Sequence, residues 1–136
     1  MILQKSSTLL TSGLIAVAVA MTTPAMAENT DVRFVKGATS ANYQGQLKGD
    51  TYDTYTFYAK KGQHLKVTLA GGNFDPMLFH SKLSDSVNLG QYSSALDKSG
   101  AYTLPYDGKY TLRVVQPRSQ ARQGKTPKYW VNIAIR

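Results

Sequence analysis

Cysteine is absent from the 136 residues. The chain therefore has no disulfide to staple it, no thiol for a lipid anchor, and no cysteine-type zinc or redox site. Histidine is nearly as scarce. His64 and His80 stand apart, and neither has a carboxylate or a second histidine at metal-ligand spacing, so both read as rim histidines rather than ligands. Acidic residues are in the minority, 8 Asp and Glu against 16 Lys and Arg, which sets the formal net charge at +8. A basic chain draws anionic partners: nucleic acid, anionic lipid or cell-wall polymer, or an acidic cleft in another protein. No Lys/Arg block exceeds Lys60-Lys61, which argues against nucleic acid. Beyond residue 27 no stretch of ten or more residues keeps an apolar i, i+3, i+4 pattern, so long amphipathic helices are excluded as well.

What is present begins with an export signal. Lys5 precedes an apolar run from Leu9 to Met21, and Ala25-Met26-Ala27 supplies a small-residue cleavage site. The run is too short and too broken by Ser and Thr for a membrane span, which needs about 20 predominantly apolar residues. Cleavage is expected near Ala27, leaving residues 28–136 as one domain with no membrane span. A chain of that size folds on packing alone.

The remainder is a series of short alternating segments punctuated by Gly, Pro, Asn and Asp. Tyr55, Phe57 and Ala59 alternate with polar neighbours, as do Leu65, Val67 and Leu69, and Lys60-Lys61-Gly62-Gln63 makes a hairpin turn between the two runs. Tyr110, Leu112 and Val114 form another strand, entered from Asp107-Gly108, and Tyr129, Val131, Ile133 and Ile135 form a closing one. Segments around Val32 to Val35, Asn42 to Leu47, Met77 to Phe79 and Ala101 to Leu104 complete seven or eight strands. The pattern predicts an all-β fold, an antiparallel β-sandwich.

Two connections exceed hairpin length, and function concentrates on such loops. One runs from about His80 to Gly100, with a short helical turn expected around Ser93 to Asp97. The other runs from Gln116 to Lys128, where Pro117 and Pro127 deny ladder donors at both ends. Within it Arg118 and Arg122 stand at i and i+4, so a single helical turn projects both guanidiniums from one face. Such planar forks bind carboxylates bidentately, while the bland alternative is a solvated basic loop.

Catalytic constellations are lacking. Ser, His and Asp all occur, but nothing resembles a nucleophile elbow. Asp50, Asp53 and Asp75, with Tyr52 among them, evoke the carboxylate pair of a glycosidase. Capping and turn roles account for all three acids without chemistry. Nine tyrosines against four phenylalanines suit either a contact surface or sheet-edge positions. Trp130 alternates onto the polar face of its strand.

The run Tyr52-Asp53-Thr54-Tyr55-Thr56-Phe57-Tyr58-Ala59-Lys60-Lys61-Gly62-Gln63 is followed by Leu104-Pro105, Gly108-Lys109-Tyr110 and Leu112-Arg113-Val114. Arg118, Ala121-Arg122 and Lys128-Tyr129 come last. Together these resemble the periplasmic inhibitors of goose-type (g-type) lysozyme, over essentially the whole mature chain. The Tyr-x-Phe strand with its glycine turn is also shared with modules resembling the prepeptidase C-terminal domain. The resemblance implies a periplasmic β-sandwich that is not an enzyme, uses no cofactor or metal, and protects peptidoglycan by binding a g-type lysozyme. It places Arg118 and Arg122 against the enzyme's active site. It also implicates the turn from Gly49 to Tyr52, where this chain departs from the family by carrying Asp50 in place of a tyrosine, with Tyr52 two residues on.

The sister family directed at invertebrate-type (i-type) lysozyme carries Ser-Gly-x-Tyr in its functional loop. The matching stretch here is Asp107-Gly108-Lys109-Tyr110, with Asp107 in place of serine, and Ser99-Gly100-Ala101-Tyr102 spells the same motif one strand earlier. Asp107 and Tyr110 thereby join the candidate contacts. Inhibition of i-type lysozyme is one alternative. The other is a peptidoglycan- or glycan-binding module using Trp130 and exposed tyrosines.

Overall fold

A computed structural model describes residues 26–136. The export signal read over 1–27 lies outside the described residues except for Met26 and Ala27. Among the described residues there are nine strands: β1 (Met26–Asp31), β2 (Ser40–Gln46), β3 (Tyr52–Ala59), β4 (His64–Ala70), β5 (Asp75–Phe79), β6 (Val87–Asn88), β7 (Tyr102–Thr103), β8 (Gly108–Val115) and β9 (Lys128–Ile135). One four-residue helix, α1 (Arg118–Ala121), lies between the last two.

The strands form two sheets, ordered β1-β3-β8-β5-β6 and β2-β9-β4-β7. The period-two alternation of the sequence explains why they stack. Tyr55 and Phe57 on β3, Leu112 and Val114 on β8, and Leu78 on β5 turn one face inward. Leu65 on β4 and Tyr129, Val131 and Ile133 on β9 turn the opposing face inward, and all these side chains are buried. The polar neighbours of each strand point outward, so a one-residue slip would exchange core for solvent. Every pairing is antiparallel except β1 with β3, which is parallel, running Glu28↔Asp53 to Asp31↔Thr56.

Three expectations require correction. Val32 to Val35 is not a strand. The pairing segment is β1 just before it, and Val32 and Phe34 instead pack singly against the core as the chain crosses between sheets. Ser93 to Asp97 makes only a single hydrogen-bonded turn, Leu96 N on Ser93 O at 3.3 Å, and no helix, because local acceptors compete with one. Ser93 Oγ takes the Ala95 amide at 3.2 Å, and Asp97 Oδ1 takes the amides of Ser99 and Ala101 at 2.8 and 3.0 Å. The same connection also contains β6, two residues paired with Met77 and Leu78 and too short to leave a periodic signal.

The third correction concerns Asp53, which is buried inside β3 rather than serving a turn. Tyr129 of the opposite sheet donates its hydroxyl to Asp53 Oδ2 at 2.5 Å, and the Tyr55 and Tyr129 hydroxyls lie 2.6 Å apart. Burial, and the hydrogen bond to Asp53, hold the Tyr129 proton far above the ordinary phenol range. Tyr129 is therefore the donor to Asp53, and Tyr55 donates to Tyr129. Asp53 Oδ1 is buried without a partner among the described residues. Burial raises the Asp53 pKa against the opposing effect of the Tyr129 bond, and the charge of Glu28 raises it further.

A folded carboxyl that holds its proton more tightly than the unfolded chain does stabilises the fold in acid. That contribution is lost as pH rises through the folded pKa. Asp53→Asn, which resembles the protonated acid, is therefore expected to melt close to the unsubstituted chain near pH 4 and above it at pH 7. Melting curves across that range check this; a melting-temperature difference that does not change with pH would contradict it.

Candidate functional site

Strand register decides which candidate residues can act together. On β3 and β8, Asp53 faces Val114 at one end and Ala59 faces Gly108 at the other. Six residue steps at about 3.4 Å each separate these ends by ~20 Å. The turn preceding β3 and the loop following β8 consequently share one end of the sandwich, while the turn preceding β8 lies at the other.

At the first end, the Gln116 to Lys128 connection is tied down rather than free. Leu47 N donates to Pro127 O at 3.2 Å, Gln46 Nε2 to Thr126 O at 2.9 Å, and Gln116 Nε2 to Gly49 O at 3.3 Å. Pro117, with φ −58° and ψ 149°, starts α1, and its carbonyl accepts the amides of Gln120 and Ala121, both at 2.9 Å. Pro117 is the N-cap, extended at ψ 149°, and offers no side-chain cap bond. Ala121 is buried beneath the turn, which orients the rest of it. Arg122 N closes the turn on Arg118 O at 3.1 Å. Arg118 and Arg122, one turn apart, are both exposed. The helical turn on which a shared face for Arg118 and Arg122 is conditional does form.

The neighbouring turn supports the same end. Thr51 Oγ1 donates to Lys48 O at 2.7 Å and accepts from Lys48 N at 3.1 Å, and Gly49 adopts φ 57°. Asp50 stands exposed at its tip. Tyr52, half-buried, begins β3 with its ring 4.1 Å from the guanidinium carbon of Arg113. Arg113, the outward residue of an ordinary alternating strand, carries no local signal of a contact role.

Asp107 and Tyr110 lie at the far end. Tyr110 is fully buried, and its hydroxyl donates to Tyr106 O at 2.7 Å and accepts from Tyr106 N at 3.1 Å. Its role is to hold the turn from within. Asp107 Oδ1 accepts the Lys61 amide at 2.7 Å, and its carbonyl lies 2.9 Å from His80 Nε2. The Lys82 amide reaches His80 Nδ1 at 3.0 Å, so that nitrogen accepts and Nε2 donates to Asp107. His64 and Ser99-Gly100-Ala101-Tyr102 also belong to this end, since β7 pairs with the start of β4. Both stretches resembling Ser-Gly-x-Tyr are therefore remote from Arg118 and Arg122. Asp75 starts β5 opposite Val115, and Trp130 is 51% exposed on the outer face of the second sheet, between Gln44 and Ala70.

The end carrying the loop is chemically one-sided. Lys48, Arg118, Arg122, Lys125 and Lys128 are exposed there and outnumber the acids of the same end, Asp50, Glu28 opposite Asp53 and half-buried Asp75 opposite Val115. Such a surface binds anionic groups.

Comparison with known proteins agrees with this architecture. Residues 51–116 match the bacterial pre-peptidase C-terminal domain. The inhibitor of g-type lysozyme from Escherichia coli K12 is 51% identical over 112 residues, which is 82% of this chain and 84% of that protein. The crystal structure of a periplasmic inhibitor of g-type lysozyme from Salmonella Typhimurium superposes with a TM-score of 0.78 at 50% identity, over 80% of this chain and 98% of that one. Its counterpart from Aeromonas hydrophila gives 0.65 at 30% identity, over 83% and 98%. By identity, coverage and fold alike, this chain belongs to the family of periplasmic inhibitors of g-type lysozyme.

Proposed function

We propose that this chain is exported to the periplasm and there inhibits a g-type lysozyme, shielding peptidoglycan without performing chemistry itself. The Gln116 to Lys128 loop enters the catalytic cleft, and Arg118 and Arg122 pair with the acidic groups that line it. Substrate is excluded both by the loop's bulk and by loss of the free carboxylates.

The observation that carries this reading is the anchored single turn of α1, which sets two exposed arginines, Arg118 and Arg122, four residues apart. Preorganisation matters because ordering a loop on binding costs free energy that a loop already tied down does not pay again. Asp50, beside this turn, adds one negative charge to the contact face and repels any target carboxylate placed opposite it. Asp107 stands at the opposite end of β3 and β8 from this loop, ~20 Å away. Its turn would carry the alternative reading, inhibition of i-type lysozyme.

The test is residual muramidase activity of g-type, chicken-type and i-type lysozymes titrated with the purified domain. Stoichiometric loss of g-type activity, with the other two unaffected, is the expected outcome. Loss of i-type activity alone would move the function to the Asp107 turn, and no loss in any of the three would reject inhibition.

A further inference from the structure

The outer face of the first sheet holds a cation whose surroundings the fold alone does not explain. Arg113 lies on β8 between Thr54 and Met77, with its side chain on the outer face. Its guanidinium carbon is 4.1 Å from the centre of the Tyr52 ring and 4.6 Å from that of Phe79. Its Nε is buried without a hydrogen-bond partner among the described residues. Two aromatic rings hold the cation in place by its faces, but they satisfy none of its in-plane donors. An arginine usually meets a carboxylate or carbonyl there, in fork geometry.

We infer that Arg113 is a preformed carboxylate receptor, and that through its two terminal Nη groups, Nε being buried, it takes an acidic side chain on the rim of the bound g-type lysozyme. The inference rests on the reading that the Arg118 and Arg122 end is the contact surface. Position supports it. Arg113 is three residues from Gln116, about 10 Å along β8 from the base of the loop. Tyr52 links the two places, since its ring packs on Arg113 while its backbone leaves the turn that carries Asp50. Charge supports it as well. The chain carries twice as many basic as acidic residues, so a partner drawn to this end presents acidic groups. Stacking fixes the rotamer before binding, so a bidentate pair forms here with little further ordering.

A purely structural arginine would lose stability when replaced, whereas a receptor loses affinity. Arg113→Met keeps the stem between the rings and removes the fork. Arg113→Lys keeps the charge and removes the bidentate geometry. Both are expected to weaken inhibition of a g-type lysozyme by about tenfold or more, with little change in melting temperature. In the unsubstituted chain, the buried Nε–H of Arg113 is expected to give a resolved nitrogen–proton resonance that shifts when the lysozyme is added. That second readout decides the matter should either variant fail to fold.

If the resonance does not move and Arg113→Met inhibits normally while Arg118→Ala with Arg122→Ala does not, the receptor is refuted and the contact surface stands. If the double arginine variant inhibits normally, the contact surface is refuted, and the Arg113 inference with it.

Discussion

Replacing Arg118 and Arg122 together with alanine is expected to abolish inhibition of a g-type lysozyme while leaving the melting curve almost unchanged. Removing one partner of a desolvated charge pair costs about 2–5 kcal/mol, much of it from the carboxylate left without a counter-charge. That is roughly 30-fold to several thousand-fold in affinity for each arginine. Among the described residues no side-chain hydrogen bond from Arg118 or Arg122 holds the loop. The anchors are the Leu47–Pro127 and Gln46–Thr126 hydrogen bonds and the burial of Ala121. Exposed substitutions of this kind usually change stability by no more than about 0.5 kcal/mol. An inhibition assay paired with a thermal melt therefore separates lost contact from lost fold. Single replacements are expected to be less severe than the pair, and lysine less severe than alanine, since it keeps the charge without the fork.

Gly45→Ala is expected to have the largest effect on stability, although it changes one methyl group. Gly45 pairs with Tyr129 across β2 and β9. A Cβ at this position would fall 2.5 Å from the Tyr129 hydroxyl oxygen, 2.6 Å from its Cζ and 2.7 Å from Asp53 Oδ2. These atoms form the buried chain linking the two sheets. Tyr129 is confined further by Phe74, whose ring centre is 5.3 Å away. Relief would require displacing the tyrosine and breaking its bond to a carboxyl that already has one unpartnered oxygen. Overpacking costs about 1–3 kcal/mol, and the disturbed hydrogen bond about 1–3 more. For a domain of this size each kcal/mol lowers the melting temperature by roughly 4–8 °C, so a fall on the order of 10 °C or more is expected. A melt within a degree or two of the unsubstituted chain would mean that the interior can yield where its packing says it cannot. Because this cluster lies at the loop end of the sandwich, the same variant is also expected to weaken inhibition.

The sequence was legible where its signal repeats. The alternation in Tyr55, Phe57 and Ala59, and in Tyr129, Val131, Ile133 and Ile135, correctly assigned inward faces, because burial of one sheet face demands period two. Pro117 and Pro127 marked the loop, while the i, i+4 arginines were compatible with its helical turn without requiring it. What was illegible depends on pairing across the fold. Nothing local marks Met26–Asp31 as a parallel edge strand, or Val87–Asn88 as a strand at all. Asp53 read as a turn acid because the tyrosine that receives it is 76 residues away. The separation of Asp107 from Arg118 follows from register, which spacing along the chain does not encode. Arg113 escaped notice for the same reason: its partners Tyr52 and Phe79 come from strands on either side.

The central claim is that the arginine loop occupies the catalytic cleft, and competition tests it most directly. Binding of the purified chain to a g-type lysozyme would be measured while a long chitooligosaccharide, which fills the same cleft, is raised in concentration. Cleft occupancy predicts an apparent Kd that climbs in proportion to the oligosaccharide once the cleft is saturated. An apparent Kd unchanged at saturating sugar would place the chain elsewhere on the enzyme and contradict the claim.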